Sequence, residues 1–188
     1  MAAAAWIVRR IRGPSWSVGS RIPTGFDGYV RIPHVGGADV PAAEGTLSAE
    51  LAGIIASIAA EFTTTAEHCW FGIWDGFGWL YASRSEPPTG MRTLAHLPPV
   101  EGIPRLRLPD RDYLLFSAPV GAVLALADYP TQQTPNLWWP DDHAWYVATD
   151  IDLTSTYVGG PMALIERLLA DSRLAATPAD LADSLLDR

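Results

Sequence analysis

The chain has 188 residues, 48% of them hydrophobic, with 13 Lys+Arg against 21 Asp+Glu and a formal net charge of -8. That length suits one domain able to bury roughly 70% of the surface its unfolded form exposes. Every basic residue is Arg, so a phosphate-binding loop ending in Gly-Lys-Ser/Thr and Schiff-base catalysis are excluded, and the single cysteine, Cys69, excludes an intramolecular disulfide and a paired-cysteine zinc site.

Charge is uneven along the chain. Residues 1–34 hold five Arg against Asp27, whereas acids outnumber arginines ten to five over 35–127 and ten to three over 128–188. Such an acidic bulk repels nucleic-acid backbone and anionic membrane, so neither is expected as a partner. The opening Met-Ala-Ala-Ala-Ala-Trp-Ile-Val-Arg-Arg puts its positive charge after the apolar stretch, the reverse of a secretory signal. The longest later apolar run, 51–60, falls far short of the ~20 residues a membrane span needs. The expectation is a soluble, cytoplasmic protein.

Residues 1–46 read as an irregular opening dense in Pro and Gly, with one strand at 29–33. From 47 to 62, Leu47, Leu51, Ile54, Ile55, Ile58 and Phe62 recur at three- and four-residue steps, which predicts a helix with Thr46 or Ser48 as its cap. Asp75-Gly76 between apolar runs predicts a two-residue hairpin pairing Trp74 with Phe77 and Trp70 with Tyr81. Five prolines over 84–104 make that stretch an exposed loop. Residues 112–117 read as a strand leading into a buried helical piece at 120–127, and 128–144 as turn-rich. A strand at 145–153 and helices at 162–170 and 179–186 complete the chain, the last capped by Thr177 with Pro178 in its first turn. The alternation lacks regular βαβ units, so the expected fold is a single α+β domain with a mainly antiparallel sheet and about four helices.

The chemistry-bearing residues gather in Trp138-Trp-Pro-Asp-Asp-His-Ala-Trp-Tyr-Val-Ala-Thr-Asp-Ile-Asp152. On a strand Asp150 and Asp152 point the same way. With Asp141, Asp142 and His143 near the strand's start, they make a candidate site for a hydrolase or metal-dependent enzyme using Asp150, Asp152 and His143. No spacing here matches a metal-ligand signature, and no cofactor is implied. His68 and Cys69 are neighbours and point to opposite faces of a strand, so Cys69 reads as a small buried hydrophobe. Eight tryptophans are the compositional anomaly. Trp138 and Trp139 fall in a predicted loop, where two adjacent rings do not both turn inward, so at least one is expected at the surface. The leading reading is therefore a non-enzymatic module that binds a basic protein. Trp138, Trp139 and Trp145 anchor the contact, while Asp141, Asp142, Asp150 and Asp152 select the partner, with His143 among them.

On Cys69-Trp-Phe-Gly-Ile-Trp-Asp-Gly-Phe-Gly-Trp79 and the 138–152 segment, with Pro14-Ser-Trp-Ser-Val-Gly-Ser-Arg-Ile-Pro-Thr-Gly-Phe26, the chain resembles a family of uncharacterised actinobacterial proteins. That resemblance covers most of the chain and implies no activity. In general arrangement and tryptophan-rich acidic character it also resembles the yeast cell-wall regulator and toxin-immunity superfamily. The second resemblance implies an α+β domain that binds partner proteins.

Overall fold

This computed structural model, which describes residues 4–34, 42–81, 100–127 and 132–185, contains eight strands, most of them formed by residues of alternating or continuous apolar character. They are β1 (Gly28–Pro33), β2 (Cys69–Trp74), β3 (Arg105–Leu108), β4 (Arg111–Ala118), β5 (Leu137–Pro140), β6 (Tyr146–Thr149), β7 (Ser155–Gly160) and β8 (Thr177–Pro178). One sheet contains them all, in the order β3-β4-β2-β5-β6-β7-β1-β8, with every neighbouring pair antiparallel. The α+β class and the mainly antiparallel sheet are as expected.

Both faces of the sheet are covered. Over one face lie α2 (Ala49–Ala60) and α3 (Met162–Ala170), packing on Val30, Ile32, Phe71, Trp138, Val147 and Val158. Ser48 caps α2, its hydroxyl accepting from the Leu51 N–H at 3.2 Å. The other face is aromatic, with Tyr113, Trp139, Tyr146 and Tyr157 beneath α1 (Ala5–Arg10), the short helix Val18–Ser20 and the chain end around Leu185. The predicted irregular opening thus contains a helix, α1, which docks Trp6 and Ile7 on this face.

The Asp75-Gly76 hairpin does not form. β2 pairs with β4 and β5, and residues 78–81 turn into a 3₁₀ helix instead of returning as a strand. The Asp75 carboxylate is taken by Arg105 Nε at 2.8 Å and by the Tyr81 hydroxyl, which pulls the chain out of strand geometry. Gly76 leaves room for the Trp74 ring rather than serving a hairpin turn. The Trp74 indole folds over the turn, and a Cβ at position 76 would meet it at 2.1 Å.

Two further elements differ from expectation. Residues 120–127 form only a short 3₁₀ helix, Val120–Leu124, with Val123 buried and Leu124 exposed. Residues 179–185 form no helix, because backbone groups there zip onto 16–19: Val18 N to Asp183 O at 3.0 Å, Gly19 N to Leu181 O at 2.8 Å and Leu185 N to Trp16 O at 2.8 Å. Within the predicted loop at 84–104, residues 84–99 lie outside the described residues, and 100–102 form one 3₁₀ turn. No described helix is long and apolar enough to cross a membrane.

Candidate functional site

Where β4 begins and β6 ends, on the face covered by the chain's first residues, the structure opens a cleft of about 140 Å³. Arg21, Asp110, Arg111, Tyr113 and Asp150 line it, over a floor of Leu137 and Ala148. Asp150 is its centre. The β6 strand stops at Thr149, and the turn after it is closed by the Asp152 N–H donating to Asp150 Oδ1 at 3.0 Å. The Asp150 side chain is 3% exposed and receives Arg111 as a fork, Nε to Oδ2 and Nη2 to Oδ1, each 3.2 Å. Arg111 Nη2 also reaches Asp152. Arg21 Nε lies 2.7 Å from Asp150 Oδ2, yet its N–H has no aligned hydrogen-bond acceptor, so the contact is a charge pair alone. The two guanidinium side chains are only 12% and 14% exposed. Asp110, at 3.8 Å from Arg21 Nη1, stands on the open rim. Burial raises the Tyr113 hydroxyl well above the ordinary phenol range, with the Asp150 charge adding to it, so Tyr113 stays a hydrogen-bond donor.

Trp16 stands beside this cleft. The Ser17 N–H closes a four-residue turn onto Pro14 O at 3.1 Å, and Trp16, third in that turn, has φ 63°. Turns of this shape reserve that position for glycine, since a side chain with positive φ crowds its own backbone. Arg21 lies over the indole at 5.6 Å, and the ring is 44% exposed. The strain is held by the bonds to 181–185 described above and by Gly13. A Cβ at Gly13 would press to 2.4 Å on the Gly19 backbone and the Ser17 hydroxyl.

Of the predicted site residues, the structure brings Asp150 and Asp152 together, through a turn and not through strand alternation. The other six go elsewhere. Trp138, Trp139 and Trp145 are at most 1% exposed, which corrects the expectation of a surface ring. Residues 137–140 are a strand in mid-sheet, so alternation sends Trp138 to the helix-covered face and Trp139 to the opposite one, and both faces are sealed. Trp145 packs edge-on against Trp138 at 5.4 Å. These rings therefore cannot anchor a partner. Asp141 accepts the Trp70 Nε1–H at 3.0 Å. Asp142 pins the connection after α2, accepting from Thr63 Oγ1 and the Thr64 N–H at 2.8 Å and from Thr64 Oγ1 at 2.9 Å. Burial pushes its carboxyl up, but these hydrogen bonds outweigh it and hold the group below its ordinary range.

His143 stacks on Trp6 with ring centres 4.5 Å apart, beyond the other end of β6. β6 lies between them, and its four residues at about 3.3 Å each run roughly 13 Å along the strand from the His143 end to Asp150. The Asp150, Asp152 and His143 constellation of the enzyme reading is thus not assembled. Among the described residues no group of three His, Cys, Asp or Glu side chains is placed to hold a metal ion. Sequence reasoning missed Arg21, Arg111 and Tyr113, whose surroundings in the chain carry no signal of convergence, and passed over Trp16 as one tryptophan among eight. Compared with protein-family models, with curated proteins and with solved structures, the chain matches none.

Proposed function

We propose that this protein is a non-catalytic binding module that receives one side chain or chain end of a partner protein in the cleft between Arg21, Arg111 and Tyr113, with Trp16 as the aromatic contact at its edge. The observation that carries this reading is Trp16, a large ring exposed in a backbone conformation that disfavours it. Strain of this kind costs about 1–3 kcal/mol, persists only where the surroundings enforce it, and concentrates at ligand clamps. The size of the cleft selects the class of partner. About 140 Å³ is below the roughly 300–1,000 Å³ that encloses a drug-sized molecule, but it admits part of one residue projecting from a protein surface. Tryptophan and arginine are also the residues most enriched among interface anchors.

The carboxylates first read as selecting a basic partner are engaged inside the chain: Asp141 with Trp70, Asp142 with the threonines, Asp150 and Asp152 with arginine. The net charge of -8 still favours the approach of partners that are basic overall, as a long-range preference acting on association rate.

Panning a random-peptide display library on the wild-type protein, with Trp16→Ser as the counter-selection target, tests the reading. Enriched peptides are expected to lose about tenfold in affinity on Trp16→Ser and nothing on Tyr81→Ser, an exposed aromatic elsewhere. If no peptide discriminates between wild type and Trp16→Ser, this edge is not a recognition surface.

A further inference from the structure

We infer that the group received by the cleft is a carboxylate, which takes the place of Asp152 on Arg111; this rests on the cleft being the recognition site. The inner charges are Arg21, Arg111 and Asp150, a net positive set walled by the sheet on one side and the chain's first residues on the other. What balances them comes from outside. Asp152 and Asp110 are both exposed, the first on a surface turn and the second held to Arg21 at only 3.8 Å. Both stand where an incoming carboxylate would stand.

The donors left over fit such a guest. A guanidinium offers five N–H groups in a rigid fork. Arg111 spends Nε and Nη2 on Asp150 and Asp152, while Arg21 spends Nη1 on the Ser20 carbonyl and hydroxyl at 3.3 and 3.1 Å. The Tyr113 hydroxyl adds a donor at the cleft wall. A cationic guest would meet two largely covered guanidiniums and would have to compete with them for Asp150. A neutral guest would leave the charge balance to Asp152 and gain nothing by displacing it. A carboxylate can take over the Arg111 donor as the Asp152 side chain turns out to solvent, so the guanidinium keeps an anionic partner, and the guest's attraction to the arginines is strengthened by the low polarity around them.

The carboxylate has two sources, an acidic side chain or a chain terminus, and three probes separate them. N-acetylglutamate α-amide carries only the side-chain acid, N-acetylalanine only the terminal one, and N-acetylalanine amide neither. Each is titrated into the 188-residue protein while the Trp16 indole N–H resonance is followed by NMR. One of the two acids is expected to give a saturable shift and the amide none, and the acid that does so names the source. Asp152→Asn removes the internal competitor and should tighten that probe by roughly threefold, the scale of an exposed ion pair. Arg111→Gln should abolish the shift. Should Arg111→Gln fail to fold, because it strands Asp150 without its fork, the Asp152→Asn comparison decides alone. Equal shifts from acid and amide, no saturable shift from either acid, or no tightening in Asp152→Asn overturns the inference. Display peptides that depend on Trp16 but carry no carboxylate would sink the carboxylate and leave the binding module standing.

Discussion

Cys69 and His34 show how burial sets the chemistry of single residues here. Burial pushes the Cys69 thiol up to about 12, and the charges of Asp142 and Glu67 add to the effect. Native protein at pH 8 should therefore leave Cys69 unalkylated by iodoacetamide over hours, with full reaction in denaturant; rapid native labelling would contradict the packing. His34 is buried with Nδ1 2.6 Å from Ala43 O and Nε2 3.0 Å from Thr156 Oγ1. Burial lowers it below its ordinary 6.5, only partly offset by the bond to Ala43, and the charge of Arg31 lowers it further. The unfolded chain therefore binds the proton more readily. The stability His34 contributes is complete above pH 6.5 and is lost as pH falls through the lowered folded value. His143 has the same sign, since its burial outweighs the opposing charge of Asp141. Denaturant midpoints should fall from pH 7.5 to pH 5, and His34→Gln should flatten part of that slope; an unchanged slope would assign it elsewhere. At this scale the sequence read Cys69 correctly as a buried hydrophobe. It misread Asp142, because the threonines that hold it lie more than seventy residues away in the chain.

The elements fall into those with a local cause and those without. The helices at 49–60 and 162–170 were legible because their apolar spacing and the Ser48 cap belong to the segment itself. β5 was not, although four apolar residues in a row between turn signals are consistent with a strand buried on both faces. Pro140 and the missing alternation favoured a loop, and only the coverage of both faces decides otherwise. Trp138→Ala and Trp139→Ala should then each cost about 3–5 kcal/mol, read from urea titrations, even though the two rings lie on opposite faces. A cost below 1 kcal/mol for either would place that ring at the surface. The turn at 13–17 makes a separate prediction. Gly13→Ala adds one methyl group against the Gly19 backbone and removes no charge, yet it should weaken Trp16-dependent binding severalfold by displacing the turn, with the Trp16 indole resonance reporting the shift.

Across the whole molecule, a sheet with two apolar faces needs a cover on each, and one cover joins segments far apart in sequence, residues 5–20 and 181–185. α1, the Val18–Ser20 helix and residues 181–185 close over Trp139, Tyr146 and Tyr157. Removing residues 1–12 should expose that aromatic face, seen as a strong rise in binding of a hydrophobic dye and as oligomers in light scattering. A clean monomer with no dye binding would mean that the face is protected by other means. The amino-acid order determined the class of fold, two helices and the strands at 29–33 and 112–117, because apolar period, caps and prolines act over a few residues. Tertiary structure alone decided that Trp138 and Trp139 are core, that the Asp75-Gly76 turn leads into the 3₁₀ helix at 78–81 and not into a returning strand, and that Arg21 and Arg111 meet at Asp150. Each of these depends on partners distant in the chain, and a charge or an indole carries no local mark of what will stand opposite it once the sheet has closed.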